Sequence, residues 1–423
     1  DSLQRLVEDS GACALPGVSI VYDRFIPILR RAVARGFVAS DKADYVAAGL
    51  RWGFGLGVDC DKLRGRVRFR NYPTALEARR FVSKATRARV AAGKTICLGR
   101  FAWAKDKMRL PWDDLRIFPL GAVPKPLEPD EMRPVSDHSK TQLNAASDLS
   151  FLRHSLDAYN EIAQRFKYGF SMRVSDVDAA FPLLPLMPRL WRFFLFSWFD
   201  LEKADDDPTA GECLYAHLCG DFGAAGLPGT FKMFFADCVC GMARSEAVLT
   251  LPLVVYVDDM GHMGPCHHET DAEGVRFKEW LRLLGIFLKE LKEKVAATLQ
   301  LMLGFWWDSI ARTRTLEERK FKAYTDMLFE LSSTRTMSLR DMQRVAGRMM
   351  RAVMTLPPGA ACFLANLFAL MRGLVLPWQQ RRTSRALRMD FKVLYDLLNM
   401  NLGKGYFAFD QFARVPDIDT DAS

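Results

Sequence analysis

Two adjacent carboxylates, Asp258 and Asp259, stand at the end of an apolar run, Leu251-Pro-Leu-Val-Val-Tyr-Val257, and are followed by Met-Gly-His-Met-Gly264. The pattern reads as a strand, a tight return and a second strand, with acids at the tip. Neighbouring carboxylates beside so much apolar surface repel each other and resist desolvation, so they call for water or a cation as compensation. Alone, an Asp-Asp pair is also an ordinary solvated turn. A second acidic stretch, Val174-Ser-Asp-Val-Asp-Ala-Ala-Phe181, carries Asp176 and Asp178, which share one face if the stretch is extended. Taken singly, it also reads as a strand end capping the next helix. Together the two stretches offer one Asp on each of two neighbouring strands, as two-metal phosphoryl transfer requires: one ion activates the attacking hydroxyl, the other holds the leaving phosphate, and shared carboxylates bridge them.

The elements that must position these acids are short and mixed. Phe193 to Phe199, Leu214 to Cys219 and Leu251 to Val257 read as β-strands between Pro, Gly and Asp clusters, and Phe231 to Arg244 as an intervening helix. This is an α+β pattern, with strands distant in sequence, and not a regular βαβ alternation. Beyond about residue 315 the sequence reads as almost wholly helical: Leu316 to Ser332, Ser338 to Met354 behind an N-cap serine, and Ala360 to Arg372. Before residue 110, helix-like patches such as Ala75 to Ala92 alternate with a glycine-rich break, Gly53-Phe-Gly-Leu-Gly57, expected to be a flexible turn. Gly93-Lys94-Thr95 lacks the earlier glycine of a P-loop, since Ala88 stands there, and reads as a helix C-terminus.

In motif order, residues 117–310 resemble the reverse transcriptases. Tyr256-Val257-Asp258-Asp259 is similar to that family's YxDD box. The stretch from Asp176 to Leu186 (DVDAAFPLLPL) is similar to its first catalytic motif. The resemblance implies Asp176, Asp258 and Asp259 as catalytic and metal-binding acids, with the Val177 carbonyl as a further ligand. It implies two Mg²⁺ ions, with Mn²⁺ as a substitute. Phe181 falls where the family places the aromatic that excludes a ribose 2′-hydroxyl, with Ala179 and Ala180 beside it. Gly226-Leu-Pro-Gly-Thr230 resembles the motif contacting template and nucleotide, although Ala225 stands where relatives have Gln or Phe, and Phe231 where they have Pro. Gly226 is expected to let nucleic acid and nucleotide approach the backbone.

Val123-Pro-Lys125 and Arg133-Pro-Val-Ser-Asp137 resemble the fingers hairpin that grips the incoming triphosphate. The physics agrees, because a lysine point charge and an arginine fork neutralise charge that grows during transfer. Lys292 and Lys294 are both candidates for the general acid that protonates pyrophosphate. The hairpin Leu303-Gly-Phe305-Trp306-Trp307 resembles the primer grip, which is compatible with its being a core strand as well. The tail resembles retrotransposon thumbs of the Ty3-like LTR or DIRS-like tyrosine-recombinase groups. Ile418 to Ser423 resembles the first strand of an RNase H domain, with Asp421 its first metal ligand.

The implied organisation is an N-terminal extension (1–112), fingers and palm (113–312), a helical thumb or connection (313–400), and a linker with a truncated RNase H start (401–423). The fold expected is a right-hand polymerase with an antiparallel palm sheet and a helical C-terminal region. The activity implied is RNA-directed DNA polymerisation on an RNA or DNA template with a primer and deoxynucleoside triphosphates. The rival reading is a catalytically inactive scaffold of the same fold that binds RNA.

Composition is consistent with this. The 423 residues are 49% hydrophobic, enough to bury two or three cores, and 59 Lys+Arg against 50 Asp+Glu give a formal charge of +9, which favours a polyanionic partner. Nine cysteines without a CxxC pair suggest neither a disulfide framework nor a zinc ribbon, and point to a reducing, intracellular compartment, cytoplasm or nucleus. The longest apolar runs are far shorter than the roughly 20 residues a membrane span needs. The first residue is Asp and no leader pattern opens the chain, so the sequence reads as excised from a longer polyprotein. Cys266-His-His268 is expected to be a polar loop, and Cys238 and Cys240 core residues.

Overall fold

The acid-bearing stretches fold into one antiparallel sheet. Its order is Lys294–Ala297, Ser171–Asp176, Asp259–Gly264, Leu253–Tyr256, so the strand ending in Asp176 lies directly beside the strand beginning with Asp259. The computed structural model describes residues 15, 17–101, 110, 112–125, 128–153, 158–207, 209–357 and 359–407; for residues 125 and 128–130 the backbone alone is described. Every residue of Ser171–Asp176 is buried, including Arg173, which is admitted because Asp271 and Glu293 bind its guanidinium at 2.8 and 2.6 Å. A buried arginine without such partners would cost several kcal/mol.

A second sheet has the order Arg66–Arg68, Leu115–Ile117, Leu195–Phe199, Glu212–His217, Thr95–Arg100, with its first two pairings parallel and the rest antiparallel. Two of its strands come from the region expected to be a separate extension, and they cover both edges of the three downstream strands. The helix Tyr22–Ala34 likewise buries Phe25, Ile26 and Leu29 in a core shared with Phe181, Phe231, Phe234 and Leu253. The boundary expected at residue 112 is therefore no boundary in the packing. A strand pair with open edges and an apolar helix face gain more by joining the main core than by forming a domain of their own.

The hairpin Leu299–Met302 and Phe305–Asp308 turns through Leu303 and Gly304, both at positive φ (53° and 81°), as a tight two-residue connection demands. It continues into a four-stranded sheet with Thr313–Leu316 and Lys404–Tyr406. The tail is thus less uniformly helical than the sequence suggested. Helices Glu318–Leu331, Leu339–Ala352, Ala365–Met371 and Arg385–Met400 are joined by the small strand pair Thr336–Ser338 and Gln380–Arg382. The stretch expected to be a linker from 401 is structured as far as Phe407, whose ring packs on Trp307 at 5.2 Å.

Ser338 caps the helix Leu339–Ala352 as expected, accepting the Asp341 N–H at 3.1 Å. That helix buries Met342, Val345, Ala346 and Met349 and turns Arg340, Arg344, Arg348 and Arg351 the other way, a stripe at helical spacing. Gly53–Gly57 is a packed crossing and not a flexible turn. Phe54 is buried, with its N–H on the Pro185 carbonyl (2.8 Å) and its own carbonyl accepting from Met187 (3.2 Å). Cys266 is the N-cap of helix His267–Leu283, so the expected polar loop is a helix start; Cys238 and Cys240 are core. Among the described residues no helix is long and apolar enough to cross a membrane.

Candidate active site

Three aspartates converge where the antiparallel sheet ends. Asp259 pairs in register with Asp176 on one side and Tyr256 on the other, which leaves Val257 and Asp258 as a two-residue turn. The turn is strained, because Val257 has φ +55°, an outlier for a β-branched side chain. Its position is fixed by the Val177 N–H, which donates to the Asp258 carbonyl at 2.9 Å and ties the first acidic stretch to the second. Immediately beyond, Ala179 has φ +47°, and the chain leaves the sheet. Asp178 therefore does not share a face with Asp176 as expected. It lies in the turn, exposed, with its N–H on the Phe287 carbonyl at 2.8 Å.

The electrostatics are those of an undercompensated anionic cluster. Burial, and then the charge of Asp176, push the Asp258 carboxyl up. Burial, and then Asp258 and Asp176, push Asp259 up to about 6. Asp176 is 2% exposed, and both its oxygens face lysines: Lys289 Nζ at 2.7 Å from Oδ1 and Lys292 Nζ at 2.7 Å from Oδ2. Burial would lower the Lys292 pKa, but the hydrogen bond to Asp176 and the three nearby carboxylates outweigh it and raise it.

Of the two lysines weighed from sequence, Lys292 lies at the acids, whereas Lys294 turns its Nζ to the Leu301 carbonyl at 3.4 Å. Lys289 was missed. Its signal was the three-residue spacing from Lys292, which the short 3₁₀ turn Glu290–Lys292 converts into two ammonium groups on one carboxylate. The loop is anchored next door, where Glu293 binds both Arg173 (2.6 Å) and Lys278 (2.6 Å).

Hard carboxylate oxygens are suited to Mg²⁺ or Mn²⁺, and the upward shifts of Asp258 and Asp259 mark a place where a cation would be stabilised. Among the described residues, no group of three or more His, Cys, Asp or Glu side chains is already arranged to hold a metal ion. The lysines hold the Asp176 oxygens instead.

The other candidate positions surround this cluster. Phe181 is 8% exposed and meets Phe222 edge-on, with ring centroids 5.0 Å apart; Ala180 is buried and Ala179 half-buried. Ala225 donates its N–H to Asn144 Oδ1 at 2.8 Å. Gly226 packs against the Leu56 backbone, so the absence of a side chain there is required by the chain's own N-terminal region. Lys125 sits at the turn of the hairpin Leu120–Lys125 and Glu128–Ser136, and Arg133 lies on its return strand with its guanidinium 5.7 Å from the Phe222 ring centre. A cavity of about 340 Å³ is bordered by Arg133, Ala179, Pro182, Asp221 and Phe222. Of the tryptophan hairpin, Phe305 and Trp307 are buried and Trp306 faces outward. Tyr159 bridges it to the acidic turn, 5.5 Å from Phe305 and 6.4 Å from Tyr256. Asp421 lies outside the described residues.

This architecture is similar to solved reverse transcriptases. The foamy viral protease-reverse transcriptase in complex with an RNA/DNA hybrid matches with a TM-score of 0.55 at 14% identity, covering 90% of this chain and 46% of that one. The dRH form of the same enzyme in complex with double-stranded DNA gives 0.54 at 16% identity, covering 80% and 50%. The chain thus spans about half the length of those proteins. The likeness establishes the fold, an α+β right-hand polymerase fold of the reverse transcriptase kind. No protein-family model and no curated protein matches the sequence.

Proposed function

We propose that this chain is the polymerase portion of a retrotransposon reverse transcriptase of Ty3-like LTR or DIRS-like type, adding deoxynucleotides to a primer 3′-hydroxyl on an RNA or DNA template. The observation that carries the reading is the pairing of Asp176 with Asp259 across two adjacent strands, with Asp258 in the turn that leads from Tyr256 into the Asp259 strand. Asp176 and Asp258, with the Val177 carbonyl, would hold two Mg²⁺ ions, and Asp259 would support the second. When bound, the ions lower the pKa of the attacking hydroxyl and neutralise the departing phosphate.

The chain's own groups do the rest. Lys125 and Arg133 hold the triphosphate, and Phe181 sets the space beside the sugar. Lys292, already charged at the acids, is placed to give a proton to pyrophosphate. Trp306 faces outward to brace the primer end, on a hairpin held in place by the buried Phe305 and Trp307. The arginine stripe of Leu339–Ala352 supplies sequence-independent phosphate contacts, and Arg351 lies over Tyr159 (5.7 Å), beside the acidic turn.

A second reading, the RNA-binding scaffold, is favoured by one observation: lysines at both Asp176 oxygens are the arrangement a permanently metal-free site would keep. Extension of a DNA primer on an RNA template with Mg²⁺ decides between them. The polymerase reading expects deoxynucleotide incorporation that disappears in Asp258→Asn. Template binding without extension by the parent chain leaves the scaffold.

A further inference from the structure

At one edge of the five-stranded sheet, the antiparallel strands Thr95–Arg100 and Glu212–His217 bring together two cysteines that the polymerase chemistry does not use. Cys97 lies opposite Tyr215, and cross-strand partners share a face; Cys213, two residues from Tyr215 along its strand, is on that face too. The Cys97 side chain meets both the Cys213 thiol and the Tyr215 hydroxyl. The two thiols differ in setting. Cys97 is exposed, whereas Cys213 is 4% exposed, in a core with Val82, Phe196 and Trp198. The Cys213 side is rigid, because Tyr215 stacks on Phe196 at 5.4 Å and donates its hydroxyl to the Phe199 carbonyl at 3.0 Å. The Cys97 side has room to yield: its strand is the last of the sheet, the ladder slips by one residue between Cys97 and Gly99, and Gly99 has φ +104° with open space around it. Diagonal neighbours on a regular ladder stand slightly beyond disulfide reach, and this bulge is where the edge strand can close the gap.

We propose that Cys97 and Cys213 form a redox modification site, a thiol pair that hydrogen peroxide closes into a reversible disulfide clamping the edge of this sheet. Cys97, the exposed partner, reacts first: its sulfur attacks the peroxide O–O bond, becomes a sulfenic acid and releases one water. Cys213 then attacks the Cys97 sulfur. The S–S bond forms, the S–O bond breaks, and the Cys213 proton leaves with the hydroxyl as a second water. The two thiols give up two electrons, and one peroxide is reduced to two waters. Burial, then the neighbouring Cys97 and Asp200, push the Cys213 thiol up to about 11, which suits it to the second step and not the first. The link ties the edge strand to its neighbour and closes a long loop containing the fingers hairpin and Asp176, so it constrains the unfolded chain. In a reducing compartment the dithiol is the resting form and the disulfide a transient response to oxidant.

The test is to treat the folded parent chain with hydrogen peroxide, block the remaining thiols, digest without reduction and identify the products by mass spectrometry. The expected product is one peptide pair joined through Cys97 and Cys213, two hydrogens lighter than the dithiol. Cys362, also exposed and the only cysteine after residue 266, is expected to remain alkylatable at the same dose. The oxidised chain is expected to melt several degrees higher, and dithiothreitol to abolish the rise; methionine sulfoxide is not reversed by dithiothreitol, so the reversible part belongs to the thiols. Cys97→Ser, at the exposed position, is expected to fold like the parent and to show no reversible shift. In Cys213→Ala the Cys97 sulfenic acid lacks its resolving thiol and is expected to be trapped by dimedone. A folded parent chain in which Cys97 stays reduced, ends as sulfinic acid or links to another cysteine overturns the site. A Cys97–Cys213 link that leaves the melting temperature unchanged overturns the clamp.

Discussion

Lys289 holds Asp176 at both ends of the residue: its N–H donates to the Asp176 carbonyl at 2.9 Å, and its Nζ lies 2.7 Å from Oδ1. With Lys292 on the other oxygen, the Asp176 carboxylate is balanced by two side chains that are themselves a third to a half exposed, at 35% and 45%. Removing them in Lys289→Met/Lys292→Met strips a buried carboxylate of its partners. Allowing for solvent screening, this is expected to cost about 1–2 kcal/mol. Because a divalent cation supplies the same counter-charge, millimolar Mg²⁺ is expected to restore the lost melting temperature in the double variant and to raise it less in the parent. Equal Mg²⁺ responses in the two chains would contradict the exchange of lysines for metal.

Asp258→Asn is expected to separate stability from function. Its carboxyl is held above its ordinary value by burial and by Asp176, so ionised Asp258 strains the fold. The amide relieves that repulsion and is expected to raise stability without Mg²⁺ by on the order of 1 kcal/mol, read as a higher melting temperature. Primer extension is expected to fall by about three orders of magnitude, equivalent to ~4 kcal/mol of transition-state stabilisation. A variant that melts lower and still extends primers would place the chemistry elsewhere.

The acids were legible in the sequence because a strand ending in charge at a tight turn has few structural uses, and because two such ends recur at the right separation. Lys289 was missed because its three-residue spacing from Lys292 gains a meaning only when the 3₁₀ turn Glu290–Lys292 folds both ammonium groups onto Asp176. The N-terminal region was misread for a related reason: Arg66–Arg68 and Thr95–Arg100 carry little apolar alternation and are strands because other strands need their edges covered. Asp178 was misplaced because the positive φ at Ala179 ends the extended stretch, and alanine gives no warning of it.

Acid lability follows from two buried clusters, one around Glu273 and one around His217. Glu273 is held down to about 2: burial opposes this, but His262, Thr250 and two backbone N–H groups stabilise the carboxylate. His217 is held down to about 3 by burial and by Arg89, only partly offset by Asp221. For His217 the unfolded chain takes up a proton that the folded chain refuses, so stability is lost as pH falls from about 6.5 towards 3. For Glu273 the stabilisation is complete above about 4.5 and is lost as pH falls towards 2. Protonation of Asp259, whose carboxyl is raised to about 6, adds stability as pH falls and opposes this, so it is in Asp259→Asn that melting temperature is expected to be flat above about pH 7, to decline below it, and to steepen below about pH 4.5. In Glu273→Gln the steep limb is expected to flatten, from a lower neutral plateau. A melting temperature constant from pH 7 to 4.5 would contradict the His217 assignment, and one constant from pH 4.5 to 2 the Glu273 assignment.

The arginine stripe of Leu339–Ala352 makes a prediction that tests nucleic-acid binding without catalysis. Arg344 is exposed and Arg348 half-buried on the face opposite Met342, Val345 and Met349, so their removal leaves the core intact. If each meets one backbone phosphate, Arg344→Ala/Arg348→Ala is expected to weaken primer-template binding for any sequence. It is also expected to reduce the slope of log K against log salt by about 1–2, because fewer counterions are released. Fluorescence anisotropy on two unrelated duplexes from low to moderate salt measures both. A loss confined to one sequence would indicate base reading, and an unchanged slope would place the duplex on another face of the molecule.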